Sequence, residues 1–236
     1  MKKIISLLLI LSMCFALSAC NSSKNIETTE TTGYTVSEES NATTEESSDT
    51  QQDKNGDTEN MKVLVAYFSR TGENYGVGHI EKGNTHIIAD MIAEQVDADL
   101  FEISTVVPYP DEYDACTKAA KQEQEEDARP ELSATVENME DYDVIFLGYP
   151  IWWSDMPMAV YTFLESYDFS EKTIIPFCTH EGSGLSSTES SISKICTGAE
   201  VLDGLELRGS VAQNSQDEAI AAVTDWLDKI EILDRE

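Results

Sequence analysis

Apolar side chains in this chain gather into unbroken runs instead of alternating with polar ones. Residues 63–68, 144–147 and 174–178 are continuous apolar segments, the pattern of strands buried on both faces of a parallel sheet. A shorter candidate covers 100–103, and a weaker one covers 201–207 with Gly204 inside it. Helical spacing fills the intervals. Over 85–96 it puts Ile88, Met91, Ile92 and Val96 on one side, with Asp90 and Glu94 outward. Over 157–164, Pro157 stands at a suitable first helical position. Residues 112–127 predict a solvated acidic helix with few core positions, and 216–232 repeats Ile220, Val223, Leu227 and Ile230. Strand alternating with helix predicts an open, doubly wound α/β sheet over 61–236. Ligands of such sheets bind beyond the carboxyl ends of the strands, where strand order reverses. The segments that follow the apolar runs are therefore the ones to inspect.

The first sixty residues follow a different pattern. Lys2 and Lys3 precede an apolar stretch over 4–17 that is too short for a membrane span and suits a signal-peptide core. Leu17-Ser18-Ala19-Cys20 resembles the lipobox of bacterial lipoprotein signal peptides. The resemblance implies removal of residues 1–19, acylation of Cys20, and a place at the cell membrane facing away from the cytoplasm. Residues 20–60 then form a tether rich in Ser, Thr and Glu. From 21 onward the segment holds ten acidic residues and two lysines, too few apolar groups to offset chain entropy. A coil of that length reaches roughly 35 Å.

Charge narrows the function classes. The chain carries 15 Lys and Arg against 45 Asp and Glu, a net charge of −30. Nucleic-acid affinity comes mainly from cations that neutralise phosphates, so a nucleic-acid partner is not expected. Three cysteines besides Cys14 and Cys20 have no paired spacing, and the three histidines form no metal-ligand motif. Neither a disulfide scaffold nor a metal site is expected.

The segments at the strand ends carry the candidate chemistry. After the first apolar run comes Ser69-Arg70-Thr71-Gly72, and later Gly83-Asn84-Thr85 opens a helix. Hydroxyls, glycine and a helix N-terminus together suit a phosphate group. No GxxxxGK[ST] and no GxGxxG follows the strand, and Gly76-Val77-Gly78 is too short to count as either. After the next long run stands Gly148-Tyr149-Pro150-Ile151-Trp152-Trp153, and after the last Thr179-His180-Glu181-Gly182. The adjacent tryptophans offer flat faces to a planar ring, and only one of two neighbours is expected to stack. Cys178 reads as a small buried hydrophobe.

These three segments, in this order, resemble the flavin loops of flavodoxins. The resemblance covers about residues 61–230. It implies a three-layer α/β/α sandwich with a five-stranded parallel sheet in the order 2-1-3-4-5. It also implies noncovalently bound FMN, with Ser69, Arg70, Thr71, Gly72, Asn84 and Thr85 around the phosphate. Tyr149, Pro150, Ile151 and Trp152, with Thr179, His180 and Gly182, would surround the ribityl chain and ring. The family's uninterrupted Ser-x-Thr-Gly-Asn-Thr is split here by residues 73–82. That leaves either Asn74 or the pair Asn84 and Thr85 to complete the phosphate shell. The onset of helical periodicity favours the pair.

The function implied is electron transfer at the outer face of the cell membrane. Residues from 61 onward carry 11 Lys and Arg against 35 Asp and Glu, a charge of −24. The redox partner expected for such a surface has a basic docking face. Two alternatives stay open on the residues alone. One is an FMN-dependent oxidoreductase acting on NAD(P)H and a quinone or nitro compound. The other is a surface module that has lost the cofactor.

Overall fold

The computed structural model describes residues 61–230. The segments expected as a signal peptide and a tether, with Cys20, lie outside the described residues, as does the predicted end of the last helix at 231–232.

The runs at 63–68, 144–147 and 174–178 become β1 (Val63–Tyr67), β5 (Val144–Pro150) and β6 (Thr173–His180). They lie side by side and parallel, with Val63 opposite Val144 and Val144 opposite Thr173. β4 (Asp99–Glu102) pairs with the far side of β1. The weak fifth candidate is divided into β7 (Glu200–Val201) and β8 (Leu205–Arg208), both parallel to β6. Between them, the Gly204 N–H leaves the ladder and donates to Glu189 Oε1 at 2.8 Å. The sheet order is thus β4-β1-β5-β6 with the divided strand outside β6. Counted over the parallel strands alone, this is the expected 2-1-3-4-5.

Helices cover both faces because neighbouring residues of a strand point to opposite sides. Val63, Val65 and Tyr67 meet α1 (Asn84–Val96) and α6 (Gln216–Ile230) through Ile88, Ile92, Val223 and Trp226. Leu64, Ala66 and Phe68 join the opposite core, which contains Phe163 of α3 (Met158–Glu165) and Ile192 of α4 (Thr188–Ile195). α2 (Tyr113–Glu125) buries only Cys116 and Ala120, as expected for a solvated helix. α5 (Gly209–Asn214) packs beside α1 and α6.

Several boundaries differ from the sequence reading. β5 and β6 run on through Pro150 and His180, so segments expected as loops begin as strand. Pro157 is the N-cap of α3 and not its first helical residue. Ile220 is exposed, because Ala219, Val223, Trp226 and Leu227 form the core face of α6. The insertion at 73–82 is no plain loop. It contributes to an antiparallel hairpin of β2 (Gly72–Asn74) and β3 (Gly78–Ile80), with left-handed Gly76 in the turn and left-handed Gly78 opening β3.

Candidate functional site

The chain runs from β1 outward to β4 and returns to β5 on the other side, so order reverses between β1 and β5. Beyond their carboxyl ends lies a cleft of about 250 Å³.

One end of the cleft is polar and rests on the start of α1. Gly83 lies so close to the β1 loop that a Cβ there would sit 2.7 Å from the Arg70 carbonyl oxygen. Only glycine lets the loop and helix meet. The contact brings Ser69 Oγ to the first turn of α1, where it accepts the His86 N–H at 3.1 Å. Behind it, Thr85 and Thr179 are both buried and their hydroxyl oxygens are 2.7 Å apart. Asn84 lines the cleft, and its Oδ1 is buried without a hydrogen-bond partner among the described residues. An unpaired buried acceptor costs about 1–3 kcal/mol, so this amide is poised for a donor from outside the protein.

The other end is aromatic. Trp152 is half-buried and held edge-on by Phe68 at 5.3 Å and Tyr109 at 5.1 Å between ring centres. Trp152 and Asp155 exchange backbone hydrogen bonds of 2.8 and 3.0 Å, closing a tight turn. Its central residues, Trp153 and Ser154, are both left-handed, with φ of 51° and 63°. Trp153 is thereby turned outward, half-exposed, with its indole N–H donated to the Thr117 carbonyl at 3.0 Å. Tyr75, from the hairpin tip, and Tyr113, from α2, complete this end.

The third segment supplies His180 and Glu181. His180 Nδ1 accepts the N–H groups of Gly182 at 2.8 Å and Gly184 at 3.2 Å. The ring proton of the neutral imidazole therefore belongs on Nε2. Glu181 accepts from Ser210 N at 2.7 Å and Ser210 Oγ at 3.1 Å.

Arg70, Asn84, Pro150, Ile151, Trp152, Thr179 and His180 thus meet in one cleft. The remaining expected residues are placed elsewhere. The Arg70 guanidinium, although at the cleft, spends its donors on the carbonyls of Glu73, Pro110 and Asp111. Thr71 lines a second depression with Ser69, Arg70, His86, Glu102 and Asp111. Gly72 belongs to β2, against the Asp111 backbone. Tyr149 is fully buried, with its hydroxyl donated to Thr188 Oγ1 at 2.8 Å. Gly182 borders a separate groove with Arg208. Thr85 lies beneath the cleft wall, and Ser69 lines the second depression while reaching α1.

Tyr75, Tyr113, Cys116, Thr117 and Glu181 line the cleft without having been singled out from the sequence. The first four come from the hairpin and from α2, whose solvated pattern gave no sign of a cleft wall. Glycines at 72, 76 and 78 were the only trace of the turn that lifts Tyr75 into place. Burial raises the Cys116 thiol above its ordinary value, with Arg70 opposing. Burial pushes Cys178 up to about 12 and leaves it an unreactive packing group.

The family model for flavodoxin matches residues 62–230. A protein from Bacteroides eggerthii DSM 20697, named a flavoprotein, is 29% identical with a TM-score of 0.59, over 73% of this chain and 99% of that one. One from Bacteroides uniformis ATCC 8492, likewise named, is 30% identical with a TM-score of 0.55, over 71% of this chain and 98% of that one. A flavoprotein from Lactobacillus acidophilus NCFM, solved in complex with FMN, shares the fold at 19% identity and a TM-score of 0.50, over 65% of this chain and 97% of that one. No curated protein matches the chain.

Proposed function

The chain belongs to the flavodoxin family, and on that premise we propose that it binds FMN noncovalently in the β1–β5 cleft and serves in electron transfer. The observation that carries this reading is the unpaired Asn84 Oδ1, buried at the polar end of a cleft whose other end is aromatic. A phosphorylated, hydroxylated chain ending in a planar ring has the same polarity along its length.

The phosphate falls to the N-terminus of α1, where first-turn N–H groups have no intrahelical partner and the helix dipole favours an anion. Ser69 accepts one of these N–H groups and keeps its own O–H to donate. Asn84 offers an acceptor to a ribityl hydroxyl. Pro150, Ile151 and Trp152 form one wall for the ring, with Thr179 and His180 on the neighbouring strand. Thr71, in the second depression, and the Arg70 side chain, held by backbone carbonyls, have no part in this shell, which closes at Asn84 with Thr85 packed beneath it. Asn74 instead spends its amide on the carbonyls of residues 70–72. Bound FMN supplies one- and two-electron chemistry; the chain supplies binding, orientation and electrostatics. The lipobox-like segment ending at Cys20 supports a lipid anchor and an extracytoplasmic location.

Fluorescence titration of the apoprotein with FMN and with riboflavin tests the assignment. Hydrogen bonds to charged groups contribute about 1.5–3 kcal/mol, so Ser69→Ala should weaken FMN by about one to two decades. Riboflavin, without a phosphate, should be indifferent to that change, and Thr71→Ala should affect neither flavin. Equal affinity of the wild type for both flavins defeats the phosphate site. Sustained NAD(P)H oxidation without a protein partner would replace the carrier by a reductase.

A further inference from the structure

We infer that the inserted hairpin and the start of α2 together form a fourth wall of the cleft, which grips the flavin ring through Tyr75 of the hairpin and Tyr113 of α2 and sets how slowly the cofactor leaves. This rests on the FMN reading and adds two ring-binding residues to it.

The hairpin is braced at both ends. At its base, the Glu73 N–H donates to the Asp111 carbonyl at 2.9 Å, and the Tyr113 N–H donates to Glu73 Oε2 at 3.1 Å. The Arg70 guanidinium joins the Glu73 carbonyl to those of Pro110 and Asp111. Gly72, with φ of 76°, lies so near this segment that a Cβ would be 2.8 Å from the Asp111 oxygen. At the tip, Gly76 meets Glu181, whose carboxyl carbon would be 3.2 Å from an added Cβ. Glu181 is itself bound to Ser210 at the start of α5. The hairpin therefore reaches from the segment before α2 to the third flavin segment.

The braced hairpin and the start of α2 hold out aromatic surface that the protein leaves uncovered. Tyr75 is 66% exposed and Tyr113 37% exposed, with ring centres 6.1 Å apart. Both line the same cleft as Asn84, at its aromatic end. Two neighbouring aromatic rings exposed in a cleft, unlike a single scattered one, offer a surface suited to a planar ligand. The occupant that fits is the isoalloxazine ring, because the polar end of the same cleft takes the phosphate and ribityl chain. Bracing the hairpin in advance removes the ordering cost that a loose loop would bring to binding.

Flavin dissociation from the full chain provides the test, followed by fluorescence recovery for FMN and riboflavin separately. Tyr75→Ser and Tyr113→Ser should each accelerate release of both flavins by about tenfold. The equal effect on the two flavins separates ring contact from phosphate contact, since Ser69→Ala should affect FMN alone. Tyr75→Phe, which keeps the ring, should retain the slow rate. Deletion of residues 73–83, which restores an uninterrupted Ser-Arg-Thr-Gly-Asn-Thr, should release both flavins at least as fast as Tyr75→Ser. Unchanged release from Tyr75→Ser, in a wild type that binds FMN, overturns the inference alone. A wild-type chain that takes up neither flavin overturns the FMN reading and the inference with it.

Discussion

Glu123 lies next to the aromatic end of the cleft, and Tyr109, which supports Trp152, donates its hydroxyl to Glu123 Oε2 at 2.6 Å. Burial raises this carboxyl above its ordinary 4.5, while the hydrogen bond from Tyr109 opposes the rise. Folded chain therefore holds the proton to higher pH than unfolded chain does. The stability this contributes is complete below the ordinary glutamate range and is lost as pH rises through the folded value. Glu123→Gln keeps an acceptor for Tyr109 and has no charge to bury. It should raise stability at neutral pH and flatten the profile from the ordinary glutamate range up to neutral pH. Urea denaturation across that range checks this, and superimposable profiles for the two proteins would refute it. Nothing in the local sequence marked Glu123. It lies among acidic neighbours on a helix with two buried residues, and its hydrogen-bond partner Tyr109 is fourteen positions away.

Single elements show which features are local. β1, β5 and β6 follow from apolar runs, since a strand covered on both faces needs no polar side. The start of α1 was legible at Asn84 and Thr85, because helical spacing begins there whatever precedes it. The hairpin was not, since β2 and β3 have three residues each and pair only when other segments pin them. The turn at 152–155 is a similar case. Its two left-handed residues are Trp and Ser, neither of which signals such a conformation. Left-handed backbone costs a non-glycine residue about 1–2 kcal/mol, of which glycine recovers part after its own chain entropy. Ser154→Gly should therefore stabilise the fold by about 0.5–1 kcal/mol in urea titrations. A loss of stability would mean that Ser154 makes contacts which outweigh the strain.

Over the whole molecule, the proposed encounter with a redox partner turns on charge and on the proposed lipid attachment. The residues from 61 onward carry a formal charge of −24, and such a surface attracts a basic docking face over about a Debye length, near 10 Å at 0.1 M salt. Electron transfer from a basic partner should slow by about tenfold or more as ionic strength rises from roughly 0.05 to 0.5 M. Cys20→Ser should move the protein from the membrane to the soluble fraction and leave this salt dependence unchanged. Stopped-flow rates on the purified wild type and variant decide the matter. A rate that is flat or rises with salt removes electrostatic docking, and membrane retention of Cys20→Ser removes the lipid anchor.

The strand order came through the resemblance to flavodoxins, whereas sequence by itself determined the α/β class, the parallel sheet and the three segments that meet at the switch point. Each depends on periodicity or on residues close together in the chain, where the physics is local. Tertiary structure decided which members of those segments face the cleft. Tyr149 points into the core because strand residues alternate sides, and the Arg70 guanidinium is drawn off by carbonyls forty positions away. Tyr75 and Tyr113 became neighbours only once the hairpin was braced on the segment before α2. Pairings of this kind come from packing between distant segments, which no pattern along the chain encodes.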